Sequence, residues 1–275
     1  MLENTWGIDP AAISLVCVDM DGTLLDSNKQ VPPDLWPLLD VLDSQGVRFV
    51  PASGRQLATL RDMFQGYRLP LIADNGAIVC DQDAHVISST QIDADTVREV
   101  VRRVRHLEQA GEPTGLVLSG LDGSFVERPM LDFEDAYFHY YRNVTVVEDS
   151  ASVADQGIIK AALYHLNDVT RVADHVFGGL EQTHQVVVSG RDWADLTALG
   201  VDKGKAVQAL QVAMGIGPRQ TLAFGDFPND LGMLAAAAHS FAMENAHPDV
   251  KAQAKHIAPP NSQAGVVRVL EAIFC

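Results

Sequence analysis

Cysteine is scarce in this chain of 275 residues, which has 3 in total. They stand far apart, at Cys17, Cys80 and Cys275, and this excludes a disulfide framework or a thiolate zinc site. Long apolar runs are also missing, because no stretch approaches the roughly 18 residues that cross a bilayer. The sequence therefore predicts neither a disulfide-rich secreted protein nor a membrane-spanning one.

Positive charge is also in short supply, with 20 Lys and Arg against 36 Asp and Glu and a formal net charge of −16. Such a chain repels nucleic acids and anionic lipids at long range, so we expect neither as a partner. Local cations must hold any phosphate-bearing ligand. Glu3 and Asp9 stand where a secretory signal carries positive residues before an apolar stretch, so we expect a cytoplasmic protein.

Hydrophobic residues make up 47% of the chain and charged residues 20%, which is typical of a globular protein of one or two domains. Apolar runs and helical periodicity alternate in both terminal parts. The predicted strands cover residues 13–18, 47–52, 69–73, 221–224 and 240–243. The predicted helices cover 33–45, 53–66, 203–214, a segment from about 228, and 263–274. This alternation predicts an α/β fold with a Rossmann-like, doubly wound parallel sheet.

The middle of the chain has a different texture. A polar amphipathic helix is predicted at 93–109 and further helices at 131–141 and 169–179, with short strands at 116–118, 158–164 and 185–188. This pattern predicts an α+β domain inserted into the first. We expect a core domain of residues 1–84 plus 191–275 and an inserted domain of residues 85–190.

The string DMDGT at positions 19–23 follows the first predicted strand. Asp19 and Asp21 are two positions apart, so in an extended segment both carboxylates project to the same side. They fall at the carboxyl end of a strand, where ligands bind in doubly wound sheets. The alternative is a solvent-facing Asp-Gly turn.

Three further segments carry polar groups at predicted element ends: ASGR at 52–55, DKG at 202–204 and GDFPND at 225–230. Ser53 is either part of an anion site or an ordinary helix cap. Lys203 lies in the first turn of a helix, where a cation opposes the macrodipole unless an anion is bound. Asn229 and Asp230 either belong to the same site, where Asp230 can form an ion pair with Lys203, or cap the helix that follows.

In order and spacing, these four motifs resemble those of the haloacid dehalogenase superfamily of phosphohydrolases, and within it the Cof-like branch with a large α+β cap. They cover most of the chain outside the insert. The resemblance implies that Asp19 is the nucleophile, that Asp21 is the general acid and base, and that Asp226 joins both in holding Mg²⁺. It also implies phosphate-binding and supporting residues, namely Met20, Ser53, Gly54, Lys203 and Asn229, with Asp230 and Arg55 in support.

The function implied by this resemblance is Mg²⁺-dependent hydrolysis of a small phosphomonoester, such as a sugar phosphate, through an aspartyl-phosphate intermediate. One alternative is a phosphomutase of the same superfamily. Another is a non-catalytic sensor of a phosphorylated metabolite. The presence of both Asp19 and Asp21 argues against the sensor, because binding alone needs no nucleophile and no acid.

The insert would be the cap, which supplies substrate contacts in this family. Its richest aromatic patch places Phe133, Tyr137 and Tyr141 on one helical face, which favours a core over a sugar-stacking platform. The sequence departs from the family pattern at Phe227 and Pro228, where many relatives carry small or polar residues. A ring beside Asp226 would narrow the pocket or line it for an apolar substituent.

Overall fold

Fourteen strands and eight α-helices are described in the computed structural model, which covers residues 3–127, 141, 143–166, 168–188 and 191–275. The strands are β1 Leu15–Asp19, β2 Arg48–Ala52, β3 Leu71–Ala73, β4 Ile78–Cys80, β5 Val86–Ser89, β6 Thr114–Gly120, β7 Ser124–Glu127, β8 Val144–Val147, β9 Ile158–His165, β10 His184–Val188, β11 Trp193–Ala198, β12 Thr221–Gly225, β13 His239–Met243 and β14 His256–Ala258. The helices are α1 Leu35–Ser44, α2 Leu57–Met63, α3 Ala94–Gln109, α4 Thr170–Phe177, α5 Lys203–Met214, α6 Leu231–Ala235, α7 Pro248–Gln253 and α8 Gly265–Phe274.

Eight of the strands form one sheet in the order β14-β13-β12-β1-β2-β3-β4-β5. The strands from β14 to β3 run parallel, and β4 is antiparallel to β3. All five residues of β1 are buried, as expected for a central strand covered on both faces. The predicted Rossmann-like parallel sheet is therefore confirmed.

The helices of this part follow the predicted apolar stripes. In α1 the stripe of leucines is buried, and Gly46 just beyond its end has a φ of 74°, the left-handed conformation that commonly terminates a helix. Helix α5 spans Lys203–Met214, the range predicted from the sequence.

Helix α2 differs from its prediction. It begins at Leu57 rather than at Ser53, because Ser53 continues the pairing of the sheet. The N–H of Ser53 donates to Ile72 O at 2.9 Å and its carbonyl accepts from Asn75 N at 2.9 Å. Ser53 is therefore not the cap of α2, and the predicted start of this helix at Ser53 is wrong.

The other six strands form a second sheet in the order β10-β11-β9-β6-β7-β8. Its pairs are antiparallel except for β7 and β8. Helices α3 and α4 pack on one face of it, where Val100 and Val176 meet Leu118, Leu163 and Leu196. A largely antiparallel sheet with helices on one face is the α+β arrangement that was predicted for the insert.

The chain divides into two compact units. The first comprises Met1–Gly54, Asp62–Ser88 and Asp202–Cys275, and the second comprises Arg55–Arg61 and Ser89–Val201. Strand β11 belongs to the second sheet, whereas the sequence-based boundary at 190/191 had assigned it to the first domain. Its pairing with β9 and β10 is non-local, and a boundary drawn from local pattern misses it.

Two predictions from the sequence can be compared only with the residues that the structure describes. The predicted helix at 131–141, with Phe133 and Tyr137, lies outside the described residues, apart from Tyr141. Tyr141 is buried, and its ring lies 6.0 Å from that of Trp193 and 5.5 Å from Lys160 Nζ. Among the residues that the structure covers, no helix has the length and apolar content to span a membrane.

Candidate active site

Strand register brings the predicted site residues to one edge of the first sheet. Asp19 of β1 stands beside Ala52 of β2, the residue before Ser53. On its other side, Val18 pairs with Phe224 of β12, which is followed by Gly225 and Asp226. Since these strands are parallel, Asp19, Ser53 and Asp226 all lie at the carboxyl edge, where doubly wound sheets bind ligands.

Lys203 connects two of the carboxylates. Its Nζ lies 2.5 Å from Asp19 Oδ1 and 2.6 Å from Asp230 Oδ1, and its side chain is 0% exposed. The second oxygen of Asp230 accepts the N–H groups of Asp226 at 3.0 Å and Phe227 at 3.2 Å. Asp230 therefore links Lys203 to the loop that follows β12. The ion pair between Asp230 and Lys203 that the sequence suggested is present in the structure.

Burial and crowding of charge perturb the ionisation of these groups. Burial raises the pKa of Asp19 to about 7, and the Lys203 ammonium only partly opposes this shift. Burial, followed by the charge of Asp230, raises the pKa of Asp226 to about 6. Burial alone would lower the pKa of Lys203, but Asp19 and Asp230 more than offset it, and the pKa lies above its ordinary value. The cluster thus holds more negative charge than one lysine balances.

Gly22 and Thr23 of the DMDGT motif position Asp226. Gly22 has a φ of 86°, and a Cβ at this residue would lie 2.2 Å from Asp226 Oδ2. Only glycine satisfies both the backbone conformation and the close approach. Thr23 Oγ1 donates to Asp226 Oδ1 at 3.2 Å. The first and fourth motifs are therefore in direct contact.

A cation would find a matching set of ligands here. Carboxylate oxygens of Asp19, Asp226 and Asp230 lie within 4.8 Å of one another. Because both oxygens of Asp230 already bind protein donors, Asp19 and Asp226 are the better ligands of the three. Carboxylates are hard oxygen ligands, the type that Mg²⁺ prefers, so the donor set fits the implied ion.

The side chain of Asp21 lies outside this group of carboxylates. Its Oδ1 accepts from Lys29 Nζ at 2.9 Å, and both side chains are substantially exposed. Lys29 comes from the turn after the motif, where it has a φ of 61°. The sequence analysis missed this lysine, since nothing in the local pattern distinguishes it from an ordinary surface residue.

Asn75 is a second residue that the sequence analysis missed. Its backbone N–H binds the carbonyl of Ser53, and its side-chain oxygen accepts from Asn229 Nδ2 at 3.2 Å. A Cβ on Gly54 would lie 3.1 Å from this side chain. Asn75 thus joins the second and fourth motifs. The available signal was the string DNG at 74–76, because Asn readily adopts the positive φ of 56° seen at Asn75.

Two further predicted site residues are Met20, which was predicted to bind phosphate, and Arg55, which was predicted to support the site. Met20 follows β1 with a fully buried side chain, so its main-chain groups are what a phosphate could contact. Arg55 belongs to the second unit.

Comparison with known proteins gives consistent matches along the chain. The family model of haloacid dehalogenase-like hydrolases matches residues 16–270. The chain is 29% identical to the 5-amino-6-(5-phospho-D-ribitylamino)uracil phosphatase YbjI of Escherichia coli, covering 96% of this chain and 97% of that protein. It is 25% identical to the phosphatase of the same name, YitU, of Bacillus subtilis, covering 94% and 97%. The crystal structure of TM0651 from Thermotoga maritima is similar with a TM-score of 0.83 at 25% identity, covering 94% and 97%.

Proposed function

The chain belongs to the haloacid dehalogenase-like hydrolases, and from that premise we propose that it hydrolyses phosphate monoesters of small metabolites through a phosphorylated Asp19. The observation that carries the proposal is the buried contact of Lys203 with Asp19 at 2.5 Å and with Asp230 at 2.6 Å, beside Asp226. A buried nucleophile flanked by a fixed cation and further carboxylates is suited to phosphoryl transfer and has no evident structural purpose.

In the first step, an oxygen of Asp19 forms a bond to phosphorus while the bond from phosphorus to the alcohol oxygen breaks. The leaving oxygen takes the proton of the Asp21 carboxyl group. Lys203, with its positive charge beside Asp19, stabilises negative charge on the transferring phosphoryl group. The contact of Asp21 with Lys29 must open for this step, at low cost, because exposed ion pairs are worth about 0–1 kcal/mol.

In the second step, the Asp21 carboxylate takes a proton from water, and the water oxygen attacks phosphorus. The bond from phosphorus to Asp19 breaks, and phosphate leaves with the Asp19 carboxylate restored. One difficult displacement is thereby divided into two easier ones. We assign Ser53, the N–H of Gly54 and Asn229 to binding the phosphoryl oxygens. Asn75 contacts both Gly54 and Asn229 and so holds their two segments together.

Asp19 and Asp226, with the main-chain carbonyl of Asp21, are the residues that would hold Mg²⁺. When bound, the ion neutralises the repulsion between the anionic nucleophile and the anionic phosphate. Burial, with a smaller contribution from neighbouring carboxylates, raises the pKa of Asp19 to about 7 and that of Asp226 to about 6, and a cation bound beside them would lower both pKa values.

The relatives named above suggest the first substrate to test. Both are named as phosphatases of 5-amino-6-(5-phospho-D-ribitylamino)uracil, a phosphorylated sugar alcohol that carries a pyrimidine ring. We propose phosphorylated sugars, sugar alcohols and related metabolites as the substrate class of this chain.

The test is phosphate release from a panel that contains this compound, sugar phosphates and nucleotides. It is run with Mg²⁺, with EDTA, and with the Asp19→Asn variant. We expect release that requires both the metal and Asp19, with a loss of about 10³-fold or more in the variant. Release that is unchanged in EDTA or in Asp19→Asn would refute the mechanism, and no release by the folded protein from any compound would refute the function.

A further inference from the structure

Phe227 is an exposed aromatic residue next to the candidate metal ligand Asp226. It is 60% exposed. Of the large hydrophobic residues that are exposed in the described part of the chain, Phe227 is the only aromatic one. Single exposed hydrophobic residues are common and need no explanation by themselves. Phe227 differs because it follows the carboxyl end of β12, at the edge of the sheet where Asp19 and Asp226 lie.

The backbone of Phe227 is fixed by the same carboxylate that binds Lys203. Its N–H donates to Asp230 Oδ2 at 3.2 Å, and its carbonyl accepts from Asp230 N at 2.9 Å. Pro228 follows, with a φ restricted by its ring. The main chain of Phe227 is therefore held by Asp230 of the buried charged cluster, which fixes the direction in which the side chain leaves the loop.

The ring is also oriented from one side. The imidazole of His247 lies 6.2 Å from it, centroid to centroid, with the two planes at 77°. The main chain of His247 is itself held, because its main-chain N–H donates to the carbonyl oxygen of Asp226 at 2.8 Å. An aromatic ring ordered in advance loses little conformational entropy when a ligand packs on it.

We propose that Phe227 is a specificity-determining residue that packs against a neutral planar ring in the alcohol part of the substrate. The inference rests on the proposed phosphatase function and narrows its substrate class to phosphate monoesters whose alcohol bears such a ring. Charge supports a neutral ring, because Asp19, Asp226 and Asp230 crowd this edge with one lysine among them and would repel an anionic substituent. Stacking on a phenyl ring favours planar groups over saturated ones of equal size.

The test compares three synthetic esters: benzyl phosphate, cyclohexylmethyl phosphate, which has a saturated ring, and propyl phosphate, which has none. Steady-state kinetics are measured for the wild type, Phe227→Ala and Phe227→Leu. Val212→Ala, at an 82% exposed position on α5, is the control for loss of an exposed apolar side chain. The Phe227 contacts with Asp230 involve its main chain and persist in both variants.

For Phe227→Ala we expect kcat/KM for benzyl phosphate to fall about fivefold to tenfold. The change should lie in KM, because the ring contact is equal in the ground state and the transition state. Propyl phosphate should be unaffected, cyclohexylmethyl phosphate less affected, and Phe227→Leu intermediate for benzyl phosphate. An equal loss for all three esters, or no loss for any, would overturn the proposal.

A binding measurement separates this inference from the proposed function. Calorimetry with benzylphosphonate and propylphosphonate needs no turnover, so it applies even to a protein that releases no phosphate. We expect wild type to bind benzylphosphonate more tightly than propylphosphonate and Phe227→Ala to lose this preference. If the preference survives in Phe227→Ala, or is missing in wild type, Phe227 does not select the ring, whatever the outcome of the hydrolysis assay.

Discussion

Both units of the protein place a cation between two carboxylates, but in different surroundings. In the first unit, Lys203 lies between Asp19 and Asp230 and is 0% exposed. In the second, Arg105 lies between Glu127, at 2.7 Å, and Asp149, at 2.5 Å, and its side chain is 35% exposed. The chemistry of the pairs is similar, so their location and balance of charge must distinguish them.

The second cluster consists of Arg105, Glu127 and Asp149, and its hydrogen bonds are made within the protein. Glu127 accepts from two nitrogens of Arg105 and from Ser150 N at 2.9 Å, so it joins helix α3, strand β7 and the turn at 150–153. The first cluster consists of Lys203, Asp19 and Asp230. It has Asp226 as a third carboxylate within 4.8 Å and lies at the carboxyl ends of parallel strands. The comparison teaches that an ion pair indicates a functional site when it leaves negative charge unbalanced at the ligand-binding edge of a sheet. An ion pair that links secondary-structure elements indicates a structural role.

The largest expected effect is that of Lys203→Met. Removing this cation leaves Asp19 and Asp230 buried without compensation, so we expect the free energy of unfolding to fall by about 3–5 kcal/mol. Phosphate release should also fall by about 10²-fold or more, because charge stabilisation at the phosphoryl group is lost. Chemical denaturation and steady-state kinetics measure the two effects. A variant that is as stable and active as the wild type would contradict both the compensation of the buried carboxylates by Lys203 and its role at the phosphoryl group.

The next effect is stabilisation by Mg²⁺. Balancing the first cluster should raise the free energy of unfolding by about 2.7 kcal/mol when the ion is present at roughly a hundred times its Kd. Thermal unfolding with and without Mg²⁺ measures it. The increase should disappear in Asp226→Asn and persist in Glu127→Gln, whose carboxylate lies in the second unit. An increase that persists in Asp226→Asn would place the ion elsewhere.

A smaller effect is expected when the second cluster is changed. Glu127→Gln keeps the size of the side chain but removes the charge facing Arg105, and we expect it to cost about 1–2 kcal/mol of unfolding free energy. kcat and KM should stay at their wild-type values. A selective loss of kcat at unchanged stability would mean that the second cluster serves catalysis, and would contradict its assignment as a structural cluster.

The smallest effect is expected for Lys29→Ala. Its contact with Asp21 is an exposed ion pair, so the free energy of unfolding should change by less than about 1 kcal/mol. Phosphate release should continue, with Lys29→Arg as the matched variant that keeps the charge. Loss of release in Lys29→Ala together with recovery in Lys29→Arg would show instead that the lysine takes part in the reaction.

Much of the first cluster was predictable, because buried apolar runs fix parallel strands and parallel strands end at one edge. This reasoning placed Asp19, Ser53 and Asp226 together, and the helix beginning at Lys203 has its predicted bounds. The start of α2 was not predictable, because it depends on Ser53 pairing with Ile72 and Asn75.

The second unit was less predictable for a related reason. Strand β11 buries Ala194 and Leu196 but is defined by antiparallel pairing with β9 and β10, which no local periodicity specifies. The contacts of Lys29 with Asp21 and of Asn75 with Asn229 likewise depend on turn geometry and on residues distant in sequence.

The most direct test of the central claim is to trap the phosphorylated protein. Wild type, Asp19→Asn and Glu127→Gln are mixed with a substrate and Mg²⁺, quenched in acid and analysed by mass spectrometry of peptides. We predict one phosphoryl group on the peptide containing Asp19 in wild type and in Glu127→Gln, and none in Asp19→Asn. A phosphoryl group on another peptide, or substrate turnover by Asp19→Asn at the wild-type rate, would contradict the assignment of the first cluster as the site.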